Sequence, residues 1–132
     1  MVKVSQVMGP IVVIEDSVSV KDAAKIMSTK NITNLVVIKD KKIMGIITDR
    51  DVLKNLSRLG ESVRKIMSRH VTTISSDAEL EEAGRIMTDK KIKRLPVVKN
   101  GKLVGAVNFT DVIGHCEFSK GDGDSGGDFF FN

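Results

Sequence analysis

The chain has 132 residues, 41% of them hydrophobic, so it is long enough for a packed core. Its formal net charge of +4 gives a mild preference for anionic partners but not the dense basic stripe of a dedicated nucleic-acid binder. No apolar run approaches the roughly 18 residues of a membrane span, and the N-terminus lacks a signal-peptide pattern. Cys116 is the one cysteine, which excludes an internal disulfide; we expect a cytoplasmic protein without membrane contact.

The chain repeats itself at a spacing of 60 residues. Residues 11–53 and 71–113 are identical at thirteen of 43 positions, and the match continues upstream at a spacing of 59. We therefore divide the chain into two repeats, 1–58 and 59–115, followed by a Gly- and Asp-rich tail, 116–132.

Hydrophobic patterning predicts the elements of the first repeat. Runs of β-branched residues predict strands, and apolar residues at i, i+3, i+4 and i+7 predict an amphipathic helix. In chain order, the predicted elements are a helical turn at Val4–Met8, a strand at Ile11–Ile14, a helix through Val20–Met27, hairpin strands Leu35–Lys39 and Ile43–Thr48, and a helix from Asp49.

The second repeat predicts the same order of elements. Asn100-Gly101 is typical of a tight hairpin turn. Ser19 is a good N-cap for the amphipathic helix of the first repeat, whereas Glu79 at the matching place is a poorer one. The elements are a helical turn at Val63–Met67, a strand at Val71–Ile74, a helix through Leu80–Met87, hairpin strands Leu95–Lys99 and Leu103–Asn108, and a helix near Thr110.

A single repeat buries too little surface to be stable alone. Its strands are nearly continuous apolar runs, so both faces of its sheet need to be covered. We therefore expect an α+β fold in which two βαββα repeats pack through their sheets with pseudo-twofold symmetry. Any surface that stays apolar favours a second copy of the chain, so we also expect a homodimer.

The residues needed for catalysis are mostly absent. His70 and His115 have no counterparts in the other repeat, and adjacent residues such as His115 and Cys116 point about 100° apart on a helix. No zinc-ligand spacing and no Gly-rich phosphate loop of the P-loop type is present. The sequence therefore predicts a protein that is not an enzyme, with neither catalytic residues nor a metal site.

A motif of the form Gly-x-x-Thr-x-Arg-Asp recurs where the second hairpin strand ends and the last helix begins. The first copy contains Gly45, Thr48, Arg50 and Asp51; in the second copy the matching residues are Gly105, Asn108, Thr110 and Asp111. Amides at a helix start favour anions, the arginine suits phosphate, and a carboxylate accepts both hydrogen bonds of a ribose diol. Alternatively, the acids only stabilise the first helical turn through its dipole; the spacing leaves both interpretations open.

The segment that leads into the hairpin also recurs, as 32–37 and 92–97. Pro96 lacks an amide donor, so the start of its strand is predicted to lie at an edge or an opening. Apolar residues there suit a planar base, while Lys93 and Arg94 suit phosphate. An ordinary helix-to-strand loop explains the same segment equally well.

The two motifs, in register 60 residues apart, resemble a pair of cystathionine β-synthase (CBS) domains, also called a Bateman module, over roughly residues 1–115. The resemblance implies the βαββα repeat, pairing through sheets and dimerisation. It also implies a regulatory module without catalytic activity or a required cofactor, which binds an adenosine-derived small molecule in the clefts between repeats. The ligands it implies are AMP, ADP or ATP, with S-adenosylmethionine and NAD as further candidates.

The resemblance further implies which residues bind. The terminal Asp of the motif would hold the ribose hydroxyls, the preceding Ser or Thr would contact ribose or phosphate, and the loop-to-strand segment and first strand would line the base. The first site then consists of Ile11, Val12, Asn34, Leu35, Thr48, Arg50 and Asp51. The second site consists of Val71, Thr72, Lys93, Arg94, Pro96, Asn108, Thr110 and Asp111.

Two positions depart from the family pattern. Val36 stands where the first repeat should have Pro, and Asn108 stands where the second should have Ser or Thr. Asparagine still donates and accepts hydrogen bonds, so the second site is weakened rather than lost. Because Asp51 and Asp111 are both present, both sites remain candidates, the first favoured for ribose recognition and the second for phosphate.

Most members of the family regulate an attached enzyme, channel or transporter; we expect this module to act on a separate effector protein or through its own oligomer. Two other functions stay open. One is a nucleic-acid-binding protein that uses the basic run Lys90–Arg94, although the lack of Trp and Tyr argues against single-strand stacking. The other is an interaction scaffold with empty clefts.

The tail has the composition of a flexible linker until its apolar end, Phe129–Phe131. Asp122-Gly123-Asp124 resembles the start of a calcium loop, but the chain ends before the required glutamate. We expect no calcium site there, and docking of the Phe end on the core is one explanation for its composition.

Overall fold

The computed structural model describes residues 1–115. Within them the fold is α+β, as predicted, with two three-stranded sheets. The strands are β1 (Val13–Glu15), β2 (Asn34–Lys39), β3 (Lys42–Thr48), β4 (Ile74–Ser75), β5 (Arg94–Lys99) and β6 (Lys102–Asn108). The helices are α1 (Val20–Lys30), α2 (Asp49–Lys54), α3 (Leu80–Lys90) and α4 (Phe109–His115), with 3-10 turns at Val4–Gln6, Leu56–Arg58 and Val63–Lys65.

Both sheets have the same topology. β2 is central in the first, parallel to β1 and antiparallel to β3, and β5 has that position in the second. The hairpin turns follow the mirror-image geometry that matches strand twist, with positive φ at both central residues: 52° and 66° at Asp40 and Lys41, 52° and 77° at Asn100 and Gly101. The tight turn predicted from Asn100-Gly101 is confirmed.

The first strand of each repeat starts later than its apolar run predicts. β1 begins at Val13 rather than Ile11, although the amide of Val36 still donates to the carbonyl of Val12 (3.3 Å). β4 begins at Ile74 rather than Val71, paired with Val97. Pro96, which occupies the place of Val36, has no amide to donate, so the second parallel pairing is shorter.

The helix boundaries follow from their caps. The Ser19 side chain accepts a hydrogen bond from the amide of Asp22 (3.0 Å), whereas Glu79 makes no side-chain cap, as predicted. Asn31 and Lys91 end α1 and α3 in the left-handed conformation. No helix within residues 1–115 is long and apolar enough to cross a membrane.

The described chain forms two compact units, each with its own hydrophobic core. One unit is Ile11–Thr72, and the other joins Met1–Pro10 to the chain from Thr73 onward. The first core consists of Ile14, Val20, Ala23, Met27, Leu35, Val37, Ile47, Val52, Val63 and Met67. The second consists of Val4, Ile74, Leu80, Ala83, Met87, Leu95, Val97, Val107 and Val112.

The opening segment of each sequence repeat is therefore exchanged between the units. Met1–Pro10 packs with β4–β6, and residues 59–72 pack with β1–β3. Backbone hydrogen bonds fix each segment beside a strand: Gly9 with Ala106 of β6 (2.8 and 3.0 Å), and Ser68 with Ile46 of β3 (both 2.9 Å). The tail, with Cys116, the Asp122–Asp124 segment and the Phe end, lies outside the described residues.

Candidate functional site

Three of the residues predicted for the first site, Asn34, Thr48 and Asp51, lie at one end of the β1–β3 sheet. The register places Asn34, the first residue of β2, opposite Thr48, the last residue of β3. The amide of Asp49 then donates to the carbonyl of Thr33 (2.9 Å), which ties the start of α2 to the loop before β2. Asn34, Thr48 and Asp51 are each half-buried at this junction.

Asp51 and Thr48 cap α2 reciprocally. Oδ2 of Asp51 accepts the amide of Thr48 (2.9 Å), and Oγ1 of Thr48 accepts the amide of Asp51 (3.2 Å). These two hydrogen bonds form a capping box, which uses only one carboxylate oxygen of Asp51. Oδ1 takes no hydrogen bond from any group within residues 1–115, so the carboxylate keeps acceptor capacity.

The remaining residues predicted for the first site differ in accessibility. Ile11 and Val12 are half-buried, and Arg50 is exposed. The Leu35 side chain is fully buried in the core, which leaves only its backbone available to a ligand. Oδ1 of Asp49 accepts a hydrogen bond from the backbone amide of Arg50 (2.8 Å).

The second unit repeats this geometry with different side chains. Arg94, the first residue of β5, lies opposite Asn108, the last residue of β6, and the amide of Phe109 donates to the carbonyl of Lys93 (2.8 Å). Oδ2 of Asp111 accepts the amide of Asn108 (3.0 Å). Thus an acid in the first turn of the closing helix again accepts the last amide of the strand.

The other residues predicted for the second site are placed less uniformly. Lys93 and Thr110 are exposed, whereas Pro96 is buried in β5. Val71 and Thr72 belong to the compact unit Ile11–Thr72, apart from the unit that holds the rest of this set.

Arg94 is half-buried at the second junction. Burial lowers the pKa of its guanidinium, and the negative charge of Asp111 acts in the opposite direction. Nη2 donates to the carbonyl of Pro10 (3.1 Å), while Nε is buried without an acceptor in the described chain. Sequence reasoning missed Pro10, because only the folded chain brings it to the second repeat.

The two histidines lie outside the residue sets predicted for the two sites. Nδ1 of His115 contacts the carbonyl of Asp111 (2.9 Å) one turn back along α4, and His70 is exposed. Among residues 1–115, no three His, Cys, Asp or Glu side chains are grouped so that they could hold a metal ion.

The sequence did not indicate a cavity of about 460 Å³ at the opposite end of the first sheet. Two of its cationic side chains lie near carboxylates: Arg64 is 3.8 Å from Asp16, and Lys65 is 3.8 Å from Glu61. The lining residues are Asp16, Ser17, Lys39, Ser62, Arg64 and Lys65.

Curated relatives match most of the chain. An uncharacterised 17.7 kDa protein of Acidianus ambivalens is 36% identical over 115 residues, which cover 83% of this chain and 70% of that protein. Inosine-5'-monophosphate dehydrogenase of Thermoplasma acidophilum is 37% identical over 106 residues; they cover 80% of this chain but only 21% of the dehydrogenase.

Solved structures match both units. CBSX2 in complex with AMP aligns with a TM-score of 0.77 at 31% identity, covering 86% of this chain and 94% of CBSX2. The CBS domain pair of protein MJ0100, in complex with 5'-methylthioadenosine and S-adenosyl-L-methionine, aligns with a TM-score of 0.75 at 29% identity, covering 83% and 95%. The family model of the CBS domain matches residues 4–58 and 63–117. The chain therefore belongs to the CBS domain family and contains a tandem pair of its repeats.

Proposed function

We propose that this protein is a sensor that binds an adenosine-derived ligand at the two sheet-end junctions and has no catalytic activity of its own. The observation that carries the proposal is the shared geometry of Asp51 and Asp111. Each acid accepts the last amide of its strand through one oxygen, at 2.9 and 3.0 Å, and retains a second oxygen. A carboxylate held in this way suits the two hydroxyls of a ribose.

The ligands of similar proteins support this class of ligand. CBSX2 binds AMP, the MJ0100 domain pair binds 5'-methylthioadenosine and S-adenosyl-L-methionine, and the cytosolic domain of the channel MgtE binds ATP. All four molecules contain adenosine, whereas their 5' substituents differ in charge. Adenosine is therefore the part that we expect both junctions to recognise, with AMP, ADP and ATP as first candidates.

We further propose that the protein acts as a homodimer and passes ligand binding on to a separate effector protein. Leu53 in α2 and Leu56 in the 3-10 turn that follows it support the dimer, because these residues are 68% and 58% exposed. An apolar pair of this kind favours burial against a second copy. Ligand binding would then alter the effector surface by favouring one arrangement of the dimer.

The basic run Lys90–Arg94 gives less support to nucleic-acid binding. Arg94, its last residue, is half-buried and donates to a backbone carbonyl, so the run is not one continuous solvated stripe. A gel-shift assay with RNA and DNA at physiological salt separates this function from the proposed one, because nonspecific contacts weaken as salt rises.

A thermal-shift panel with AMP, ADP, ATP, S-adenosylmethionine and NAD tests the proposal. A ligand at a hundred times its Kd raises the free energy of unfolding by about 2.7 kcal/mol, a shift of several degrees in Tm. We expect Asp51→Asn and Asp111→Asn each to remove binding at one junction, and the double variant to remove both. Asparagine keeps an oxygen for the backbone amide but replaces the ribose acceptor by a donor.

Asp89→Asn is the matched control, because Asp89 is an exposed carboxylate in α3. Circular dichroism without ligand shows whether each variant is folded. If no adenosine derivative raises the Tm of the parent protein, the scaffold interpretation replaces the sensor. If the double variant binds as tightly as the parent, the ribose role of the two acids is wrong.

A further inference from the structure

The two junctions have the same backbone geometry but opposite charge. Near the first, the charged residues are Asp49, Arg50 and Asp51, so two carboxylates outnumber one guanidinium. The second has Lys93, Arg94 and Asp111, two cations and one carboxylate. Duplication has therefore given one protein two versions of a single site, with formal charges of opposite sign.

The difference is greatest at the first residue of the central strand. Asn34 and Arg94 occupy equivalent places, each opposite the last residue of the neighbouring strand, whose amide donates to the acid of the closing helix. Asn34 brings a neutral amide to its junction. Arg94 brings a fixed positive charge close enough to Asp111 for the two groups to interact.

Arg94 is incompletely satisfied where it lies. Its Nη2 has the Pro10 carbonyl as acceptor at 3.1 Å, but its Nε is buried and has no acceptor in the described chain. Partial burial of a guanidinium costs free energy unless an anion or hydrogen-bond acceptors compensate it. The carboxylate of Asp111 supplies part of that compensation, and an anionic ligand would supply more.

Phosphate is the anion that fits a guanidinium best, because its oxygens accept hydrogen bonds in the geometry of the forked donor. At the first junction the corresponding group is absent. Arg50 is exposed there, and Asp49 and Asp51 on either side of it in the chain offset its charge. The excess of negative charge at this junction disfavours a phosphate and favours a neutral or cationic 5' substituent.

We propose that Arg94 makes the junction at the start of α4 select adenosine ligands that carry a 5'-phosphate, whereas the junction at the start of α2, with Asn34, selects adenosine derivatives without phosphate. This inference rests on the proposed function, since it assigns different ligands to the same two junctions. The protein would then sense two chemically distinct classes of adenosine ligand, one at each junction.

The test measures AMP and 5'-methylthioadenosine by titration calorimetry in site-isolated proteins. Asp51→Asn leaves the second junction, where we expect AMP to bind about tenfold or more tightly than 5'-methylthioadenosine. Asp111→Asn leaves the first, where the preference should be reversed. At the second junction, AMP affinity should also fall as salt rises, because the phosphate contact is electrostatic.

Exchanging the two residues is the decisive step. In the Asp51→Asn protein, Arg94→Asn should weaken AMP binding about tenfold or more and leave 5'-methylthioadenosine unchanged. In the Asp111→Asn protein, Asn34→Arg should strengthen AMP binding. Arg94→Lys keeps the positive charge but lacks the forked donor geometry, so its AMP affinity should lie between those of Arg94 and Arg94→Asn. If Arg94→Asn fails to fold, Arg94→Lys and Asn34→Arg still test the proposal.

The outcomes separate this inference from the proposed function. If both junctions bind both ligands equally and Arg94→Asn changes neither, the selectivity is wrong while the sensor stands. Equal weakening of the two ligands by Arg94→Asn also overturns the selectivity, because it indicates a structural role. If neither ligand binds to any folded protein, both proposals fail.

Discussion

At two glycines of the recurring motif, the exchanged segments lie so close that a side chain has no room. A Cβ built on Gly45 would lie 2.6 Å from the carbonyl oxygen of Ser68, and one on Gly105 would lie 2.7 Å from that of Gly9. In both cases the obstacle is a backbone atom held by paired hydrogen bonds, which cannot rotate away as a side chain can. These glycines therefore permit close approach of the chain.

We expect Gly45→Ala and Gly105→Ala each to lower the free energy of unfolding by about 1–3 kcal/mol. The clash outweighs the roughly 0.4–1 kcal/mol that alanine gains by restricting the unfolded chain. Gly60→Ala is the matched control, since nothing lies within 4 Å of its Cβ. Urea denaturation measures all three; equal stability of Gly45→Ala and Gly60→Ala would show that the segments do not constrain the strands.

At the scale of elements, the duplicated helices α1 and α3 differ at their caps. Ser19 and Glu79 have nearly the same extended backbone, with φ and ψ of −74° and 155° against −77° and 146°. Only Ser19 accepts an amide through its side chain. A serine at position 79 would also be followed three residues later by Glu82, which completes a Ser-x-x-Glu capping box.

We therefore expect Glu79→Ser to stabilise the protein and Ser19→Ala to destabilise it, each by about 0.5–2 kcal/mol. The measurement is the midpoint of urea unfolding at a constant m-value, which separates stability from a change in the denatured state. Exposed Glu81→Ser, two positions into α3, controls for the loss of a carboxylate. No gain in Glu79→Ser over that control would mean that the hydrogen bond from the Glu82 amide to the Glu79 carbonyl (3.0 Å) already satisfies the start of α3.

The elements were predictable because their signals are local. The amphipathic spacing predicted α1 and α3, and Asn100-Gly101 predicted the second hairpin, since each depends on residues a few places apart. The starts of β1 and β4 were not predictable, because the length of a parallel pairing depends on a partner strand that is distant in the sequence. The amide of Val36 donates to Val12, whereas Pro96 has no amide at the equivalent place, and β4 is correspondingly shorter than β1.

For the candidate site, the hairpin register places Asn34 opposite Thr48 and Arg94 opposite Asn108, and all four belong to the residue sets that the family resemblance implies. Nothing in the sequence indicated that Pro10 would accept from Arg94, since the two residues are 84 positions apart. Val71 and Thr72 belong to a different unit from the other second-site residues. Contacts between distant segments are set by packing, which no local pattern encodes.

At the scale of the whole molecule, the sequence repeats and the compact units do not coincide. The repeats are continuous, 1–58 and 59–115, whereas one compact unit is built from two separate stretches, Met1–Pro10 and the chain from Thr73 onward. Val4 and Val63 show this exchange of segments most clearly. Both are fully buried, Val4 in the core with β4–β6 and Val63 in the core with β1–β3.

This exchange of segments predicts that a core substitution in the opening segment of one repeat destabilises the elements of the other repeat. Removing two methyl groups from a packed core costs about 2 kcal/mol, lost transfer energy and a cavity included. Val4→Ala should therefore raise amide hydrogen exchange in α3 and β5, which belong to the other sequence repeat, more than in α1 and β2. Val63→Ala should have the opposite pattern, although Val63 begins the second repeat.

The two variants control for each other, because they make the same substitution at equivalent places of the duplicated chain. Exchange by mass spectrometry, below the temperature at which either variant unfolds globally, resolves the four elements separately. If Val4→Ala instead loosens α1 and β2, each repeat folds with its own opening segment and the division into interleaved units is wrong. If both variants raise exchange equally in all four elements, the chain opens as a single cooperative body, and the exchange of segments has no energetic consequence of its own.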